Sequence, residues 1–289
     1  MYPGYPAAMK AWLKGHVGER WRWRLHQLSR LRWLNKHGIL RREGLRTRDH
    51  LRYVLLDPEV ESYTYTVANT DEVLAGIADA TGVPVDALRS FAREAETDPE
   101  LGDRLARRLR WRLDVKRRPP LGHRLGWYVL VRALRPRLLV ETGIYNGLGS
   151  LTLLRALARN RADGVDGELL SFDMSDRAGW MVPEELRDGW RPVVGSTRDT
   201  LERAVEGRQI GGLFQDTHHT EENQTFEFGV ALRNAAPELV LVDGSGGLSP
   251  VLERLSRERG GRYRCLPLRA ADHWYQRGAL AFSVLGPPG

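Results

Sequence analysis

Residues 138–154, LLVETGIYNGLGSLTLL, combine an apolar run, an acid, a glycine-rich bend and a second apolar run. The run up to Glu141 has the composition of a buried strand, and the run after Ser150 has that of a helix. A strand, a glycine-rich bend and a helix in this order are typical of the ligand-binding loop of a parallel α/β sheet. The fold and the ligand of the protein both depend on how this stretch is interpreted.

The spacing of the glycines narrows the class of ligand. The loop reads ExGxxxGxG from Glu141, whereas a dinucleotide-binding loop reads GxGxxG and a P-loop ends in lysine. Gly143 permits a tight turn, and Gly147 and Gly149 are expected to let a ligand approach the backbone. Ser150 is expected to cap the following helix, whose N-terminus attracts anions. The loop therefore suits a ligand that carries both an ammonium and a carboxylate group.

The remaining pattern predicts an α/β fold with a doubly wound, mostly parallel seven-stranded sheet. Strands are predicted at 138–141, 169–173, 191–195, 212–216, 238–243, 262–268 and 279–285. The RRPP stretch at 117–120 separates a mainly helical auxiliary region, residues 1–117, from the α/β domain, residues 118–289. Within the auxiliary region and at the start of the domain, helices are predicted near 21–34, 70–82, 84–95, 99–115 and 123–134, and a short strand at 62–67.

Four of the predicted strands end in an acid, namely Glu141, Asp173, Asp216 and Asp243. The carboxyl ends of parallel strands share one edge of the sheet, so these carboxylates are expected to lie near one another despite their repulsion. A ligand with ribose hydroxyls, an ammonium group or a metal ion explains such a set. The alternative is that aspartates here only begin turns.

Taken together, these residues resemble the class I S-adenosylmethionine (SAM) dependent methyltransferases, over about residues 120–285. The stretch VETGxxxGxGS resembles their first motif. The resemblance implies contacts with SAM from the following residues of that motif: Glu141, Gly143, Tyr145, Gly147 and Ser150.

Three later segments extend the resemblance. Asp173 matches the acid that holds the ribose hydroxyls, and GSTRDTL at 195–201 is similar to the segment that borders the adenine, which implies roles for Ser196 and Thr197. QDTHHT at 215–220 and ELVLVDG at 238–244 resemble two strand ends of small-molecule O-methyltransferases, including those that methylate sugars of natural products.

The DxxH spacing of Asp216 and His219 matches the metal-binding acid and the base of the sugar enzymes. The resemblance therefore implies His219 as general base, with His218 as the alternative. Asp216 is expected either to contact SAM, to orient His219 or to bind a metal ion.

The sequence does not decide whether the protein binds a magnesium ion. Asp216 and Asp243 supply oxygen ligands of the kind that Mg²⁺ prefers. In metal-dependent relatives an Asp or Asn follows the fifth-strand acid, whereas here Gly244 follows Asp243. The substitutes at hand are Glu221, Glu222 and Asn223.

Composition bears on partners. The chain of 289 residues carries a formal charge of +7, with basic clusters in residues 1–56 and 104–118. Basic, tryptophan-containing helices leave a nucleic-acid-directed methyltransferase or a basic binding protein as the alternative. A solvated basic face over an apolar core is favoured instead, and QDTHH replaces the Asn/Asp-Pro-Pro-aromatic motif of nucleobase N-methyltransferases. A small-molecule acceptor is expected, and a homodimer is left open.

Two further features concern the setting of the protein. No apolar run is long enough to cross a bilayer. The single cysteine, Cys265, excludes an internal disulfide and is expected to be a buried, inert thiol, which favours the cytoplasm.

Overall fold

The computed structural model describes residues 64–112, 115–271 and 278–286. The helix predicted near 21–34 and the start of the strand predicted at 62–67 lie outside these residues. None of the described helices is long and apolar enough to cross a membrane.

The helices alternate with the strands after residue 134. Their bounds are α1 Thr70–Thr81, α2 Val85–Thr97, α3 Asp103–Arg108, α4 Arg124–Leu134, α5 Leu148–Ala162, a 3₁₀ helix Glu184–Gly189, α6 Thr197–Val205, α7 Glu221–Arg233 and α8 Pro250–Glu258.

Seven strands form one sheet in the order β3-β2-β1-β4-β5-β7-β6. Their bounds are β1 Leu138–Thr142, β2 Glu168–Asp173, β3 Trp190–Val194, β4 Ile210–Gln215, β5 Ala235–Asp243, β6 Arg262–Leu268 and β7 Gly278–Leu285. Strands β1 to β5 are parallel, and β7 runs antiparallel to both β5 and β6. The predicted doubly wound, mostly parallel seven-stranded sheet is therefore confirmed.

The strand order reverses between β1 and β4, which places a crevice at their carboxyl ends. The register pairs Thr142 with Gln215, and Gln215 with Asp243 on the neighbouring strand. Glu141 and Asp216, each one residue from this row, consequently lie at the same edge as Asp243. Asp173, the last residue of β2, follows Phe172, which pairs with Thr142, so it lies at this edge too. The expected gathering of the four acids at one edge is therefore confirmed.

Two predicted elements differ in the structure. The helix predicted over 99–115 is reduced to α3, because Asp98 Oδ1 accepts hydrogen bonds from the backbone N–H groups of Glu100 and Leu101 and so forms a turn before the helix begins. In the strand predicted at 62–67, the described part pairs only at Val67, which bridges to Ala270 before the chain turns into α1.

Cys265 also differs from the expectation, because it is half-buried rather than buried. It lies in β6, the outermost strand of the sheet, where one side has no neighbouring strand. Burial nevertheless raises the pKa of its thiol.

The helices that precede the sheet pack onto it and share its core. Ile77 of α1 and Leu88 of α2 are fully buried in the same apolar cluster as Trp127 of α4 and Phe282 of β7. Burial of side chains of this size stabilises the fold by roughly 1.5–3 kcal/mol each. The boundary near residue 117 stays a prediction.

A buried ion pair joins α2 to α5. The Asp98 side chain is fully buried and accepts two hydrogen bonds from Arg155, from Nη2 at 2.7 Å and from Nε at 3.1 Å. Because Arg155 is itself largely buried, the loss of this carboxylate leaves an unpaired charge inside the protein.

We therefore expect Asp98→Ala to lower the free energy of unfolding by about 3 kcal/mol or more. The control is Asp86→Ala on the same helix, which removes an exposed pair with Arg89 and is expected to cost less than about 0.5 kcal/mol. Urea unfolding followed by circular dichroism measures both. Equal losses in the two variants would contradict the structural role of Asp98.

Candidate functional site

Glu141 is the buried acid at the centre of the sheet edge. Its side chain is 1% exposed, and its Oε2 accepts hydrogen bonds from Ser150 Oγ at 2.5 Å and from Ser171 Oγ at 2.7 Å. Ser171 Oγ in turn accepts a hydrogen bond from the indole N–H of Trp190. Burial raises the pKa of Glu141 to about 7, although the two serine hydrogen bonds oppose that effect.

The glycine-rich loop is packed against protein atoms. A Cβ on Gly143, whose φ is +91°, would lie 2.2 Å from the carbonyl oxygen of Asp216. A Cβ on Gly147 would lie 2.7 Å from the Cα of Gly179, and one on Gly149 would lie 2.7 Å from Glu141 Oε1. These close approaches by the protein, rather than by a ligand, are what require glycine at the three positions.

Ser150 does not cap α5, contrary to the expectation. The helix begins two residues earlier, with Gly147 at the cap position, and Asn146 Oδ1 accepts the hydrogen bond of the Leu148 N–H group. The Ser150 hydroxyl is committed to Glu141 instead. This arrangement does not test the expected contact of Ser150 with SAM.

Asp173, the last residue of β2, holds the glycine-rich loop in place. Its Oδ2 accepts hydrogen bonds from the N–H groups of Ile144 at 3.0 Å and Tyr145 at 2.9 Å, and its Oδ1 accepts one from Ser175. Tyr145 has a φ of +50°, which is uncommon for a residue other than glycine, and its side chain is half exposed. The carboxylate thus fixes the loop: Oδ2 already accepts two hydrogen bonds, and Oδ1 keeps one lone pair.

Asp216 follows β4 and faces Glu141 across the crevice. Its Oδ2 lies 3.9 Å from Arg124 Nη2, and its Oδ1 lies 3.7 Å from His219 Nε2. Burial raises the pKa of Asp216 to about 6, while the charges of Arg124 and His219 act in the opposite direction. None of these neighbours is within normal hydrogen-bonding distance of the carboxylate.

His219 is held from one side by a buried pair of side chains. Its Nδ1 lies 2.9 Å from Gln215 Oε1 and 3.3 Å from Asp243 Oδ1. Asp243 is fixed by Gln224 Nε2 at 2.6 Å and by the Ser245 N–H group at 2.8 Å. Burial lowers the pKa of His219, but the hydrogen bond to Asp243 and the charges of Asp243 and Asp216 outweigh it, so the pKa is raised.

His218, the alternative base, contacts the residues around His219 through its backbone. Its carbonyl oxygen accepts hydrogen bonds from Gln215 Nε2 and Asn223 Nδ2. Both histidines are exposed residues, and the ring that the structure brings to Asp216 and Asp243 is that of His219.

A second buried acid, Glu227 of α7, accepts hydrogen bonds from three separate segments of the chain. It is fully buried and accepts hydrogen bonds from the hydroxyls of Thr142, Thr197 and Thr217, at 2.6–3.1 Å. Thr142 is the last residue of β1, Thr197 begins α6 after β3, and Thr217 follows β4. Ser196, the neighbour of Thr197, caps α6 through its hydroxyl oxygen.

The residues at this edge do not fit a magnesium site. Among residues 64–112, 115–271 and 278–286, no cluster of three His, Cys, Asp or Glu side chains is arranged to hold a metal ion. The His219 ring contacts both Asp216 and Asp243, the two expected ligands. A Cβ on Gly244, where relatives carry a third ligand, would lie 2.7 Å from Asp216 Oδ1. The Mg²⁺ expectation is therefore unsupported.

Sequence reasoning missed Arg124 and His123, at the start of α4. Both are buried at 7% exposure, beside the edge that carries the acids. The one signal in the sequence is that a charged residue begins HRLGWYVLVRAL, an otherwise apolar helix buried on all sides. Gln215 and Gln224, which hold His219 and Asp243, carried no signal at all.

The raised pKa of Glu141 makes stability depend on pH. A carboxyl whose pKa is higher in the folded than in the unfolded protein destabilises the fold as pH rises from about 4.5 to about 7. Glutamine does not titrate, so Glu141→Gln is expected to escape this loss of stability. The free energy of unfolding of the variant minus that of wild type is expected to be larger at pH 8 than at pH 5, by up to about 3 kcal/mol. Urea unfolding at the two pH values measures this. If the free energies of unfolding of wild type and variant differed by the same amount at both pH values, a raised pKa of Glu141 would be contradicted.

A comparison with known protein families gives a match to a family model. Residues 140–243 match the family model described as a methyltransferase domain. No curated protein sequence matches the chain. The match runs from β1 to the end of β5, so it contains Glu141, Asp173, Asp216, His219 and Asp243.

Several solved structures are similar at low identity. A methyltransferase from Geobacter sulfurreducens is 22% identical, over 65% of this chain and 91% of its own, with a TM-score of 0.47. The O-methyltransferase TomG from Streptomyces achromogenes, involved in tomaymycin synthesis and in complex with SAM, is 16% identical, over 69% and 96%, with a TM-score of 0.44. An O-methyltransferase from Bacillus cereus in complex with SAH is 15% identical, over 68% and 96%, with a TM-score of 0.44.

Identities and TM-scores this low do not transfer an acceptor or a catalytic residue to this chain. The family model, by contrast, covers the strands and loops that form the site. The matched residues include the ExGxxxGxG loop from Glu141. The site therefore lies in a segment that matches a methyltransferase domain, and the chain resembles the small-molecule O-methyltransferases.

Proposed function

We propose that the protein transfers a methyl group from SAM to a hydroxyl group of a small molecule, a sugar or another secondary metabolite, with His219 as general base. The observation that carries this proposal is the orientation of the His219 ring. Its Nδ1 faces buried acceptors, whereas its Nε2 faces the crevice beside Asp216.

The hydrogen bonds around Gln215 assign the tautomer of His219. Gln215 Nε2 donates to Thr217 Oγ1 and to the carbonyl oxygen of His218, so Gln215 Oε1 is the atom that faces His219. An amide oxygen only accepts, so the proton of the neutral ring lies on Nδ1. The lone pair then lies on Nε2, which is the arrangement that a general base needs.

Asp243 supports this role as a positioning residue. Its carboxylate lies 3.3 Å from Nδ1 and stabilises the imidazolium that forms when Nε2 takes a proton. The same interaction raises the pKa of His219 above its usual value. The base is active only when neutral, so turnover is expected to fall as pH falls through this raised pKa.

The charges at the edge fit the methyl donor. SAM supplies an electrophilic methyl group on a sulfonium centre and carries an ammonium and a carboxylate at its methionine end. Asp216 offers a half-buried carboxylate to the cationic groups, and the glycine-rich loop around Gly143, Tyr145 and Gly147 forms the adjacent wall. Asp173 Oδ1 keeps one lone pair for a ribose hydroxyl, and Ser196 and Thr197 follow the next strand, on the adenine side.

Transfer then needs orientation and one proton movement. The acceptor hydroxyl oxygen forms a bond to the methyl carbon as the carbon–sulfur bond breaks, and the electron pair of that bond goes to sulfur. His219 Nε2 takes the hydroxyl proton in the same step. The products are the methyl ether and S-adenosylhomocysteine. Alignment and general-base catalysis are the contributions of the chain.

Other expectations about the protein stay predictions. A nucleic-acid-directed enzyme depends mainly on the basic residues before residue 64, which lie outside the described part of the chain. A cytoplasmic location and a homodimer are likewise untested. No step of the proposed reaction passes through a metal ion, because the residues do not fit one.

The cofactor assignment is tested first by calorimetry. We expect S-adenosylhomocysteine to bind the full chain with micromolar affinity. NAD⁺ is expected not to bind, and an excess of EDTA is expected to leave the affinity for S-adenosylhomocysteine unchanged. Binding of NAD⁺ in place of S-adenosylhomocysteine by a folded sample would overturn the proposal, and a loss of affinity in EDTA that Mg²⁺ restores would reinstate the metal site.

The base is tested by a matched pair of histidine variants. His219→Ala is expected to lower kcat by about 10²–10⁴-fold because proton removal is lost. His218→Ala, one residue away and exposed, is expected to leave kcat within about twofold of wild type. Turnover with a hydroxyl acceptor found by screening, measured from pH 5.5 to 9, checks both. Near-normal turnover by His219→Ala at neutral pH would remove the general base from the proposal.

A further inference from the structure

The start of α4 contains polar atoms that are buried without any partner. In the described part of the chain, Arg124 Nε and Nη1, His123 Nε2 and Trp127 Nε1 are inaccessible to solvent and make no hydrogen bond. Leaving a buried donor unpaired costs about 1–3 kcal/mol, and more for a charged group. Of these three side chains, that of Arg124 reaches the crevice, where its Nη2 lies 3.9 Å from Asp216 Oδ2, and its unpaired donors indicate an arrangement completed by a ligand.

A second buried arginine on the same helix, whose donors are all paired with protein groups, illustrates a structural role. Arg132, two turns further on, is 4% exposed, and its Nε and Nη2 each lie 2.8 Å from a carboxylate, those of Glu94 and Asp163. Its Nη1 donates to Asn160. Arg124 is similarly buried, but Asp216, the carboxylate paired with it, lies 3.9 Å away, which is beyond hydrogen-bonding distance. Glu141 is near enough for its charge to interact with that of Arg124, without a hydrogen bond between the two in the described part of the chain.

The position of Arg124 specifies the charge of the missing partner. Its guanidinium lies over the Trp127 ring, and its Nε lies 3.9 Å from where a Cβ of Gly149 would be, at the start of α5. His123, its neighbour, is held neutral because burial and the charge of Arg124 lower its pKa well below the usual range. Arg124 is thus the cation at this end of the crevice, and a guanidinium fork with free donors suits a carboxylate.

We propose that Arg124 binds the carboxylate of the methionine end of SAM, while Asp216 binds the ammonium group of the same end. This inference rests on the proposed function. A zwitterion that enters the gap between Arg124 and Asp216 presents an opposite charge to each of them. The Ser150 hydroxyl, the expected anion contact at the α5 N-terminus, is already committed to Glu141.

The first arm of the test removes the carboxylate from the ligand and leaves the protein unchanged. S-adenosylhomocysteine is compared by calorimetry with its decarboxylated analogue, which keeps the adenosine, the thioether and the ammonium group. Wild type is expected to bind the analogue at least about tenfold more weakly, because one charge-assisted contact is lost. Equal affinities for the two ligands in wild type would overturn the inference without any variant.

The second arm uses Arg124→Gln. This variant is expected to lose affinity for S-adenosylhomocysteine and not for the analogue, so that the ratio of the two dissociation constants approaches one. A purely structural role would weaken both ligands equally and keep the wild-type ratio, which would contradict the proposal. Arg124→Lys keeps a charge without the fork and is expected to give an intermediate ratio.

Arg132→Gln is the matched control on the same helix. It is expected to lower the melting temperature more than Arg124→Gln does, because it breaks existing ion pairs, and to keep the wild-type affinity ratio. The arms also separate the two proposals. If wild type binds neither ligand, the proposed function is wrong, whereas tight binding of both with an unchanged ratio in Arg124→Gln overturns only the role of Arg124.

Discussion

A single buried carboxylate, that of Glu141, organises the edge of the sheet at which the site forms. Its partners within hydrogen-bonding distance are two serine hydroxyls, one on α5 and one on β2, and the second of these is linked to Trp190 on β3. One oxygen atom therefore connects three successive elements of the chain. A buried charge is costly unless it is satisfied, so the glycine-rich loop has to close over Glu141, and that closure requires glycine at position 149.

Much of this edge could be predicted from the sequence, because the signals are local. Apolar runs, four of which end in an acid, located the five parallel strands to within three residues at either end. The alternation of strands and helices predicted the doubly wound sheet, and the DxxH spacing pointed to His219 beside Asp216. Periodicity, composition and short motifs carry this kind of information.

The remainder depends on contacts between residues distant in sequence, which no local pattern encodes. Gly147 was expected to make room for a ligand, but it makes room for the backbone of Gly179, 32 positions later. Arg124 precedes the first motif and looks like the solvated start of an amphipathic helix, although its side chain is buried. The shortened α3 follows from a hydrogen-bonded turn at Asp98, which competes with the helical pattern of the residues after it.

The three threonines around Glu227 have a consequence for how the protein can diversify. They anchor the end of β1 and the segments after β3 and β4 to one side chain of α7, so a change in any one of these places disturbs the others. The segment that follows β5 is not bound to Glu227 by any of these hydrogen bonds. Selection for a new acceptor therefore meets less resistance in that segment, and homologues with different acceptors are expected to share the residues around Glu227 and to differ after β5.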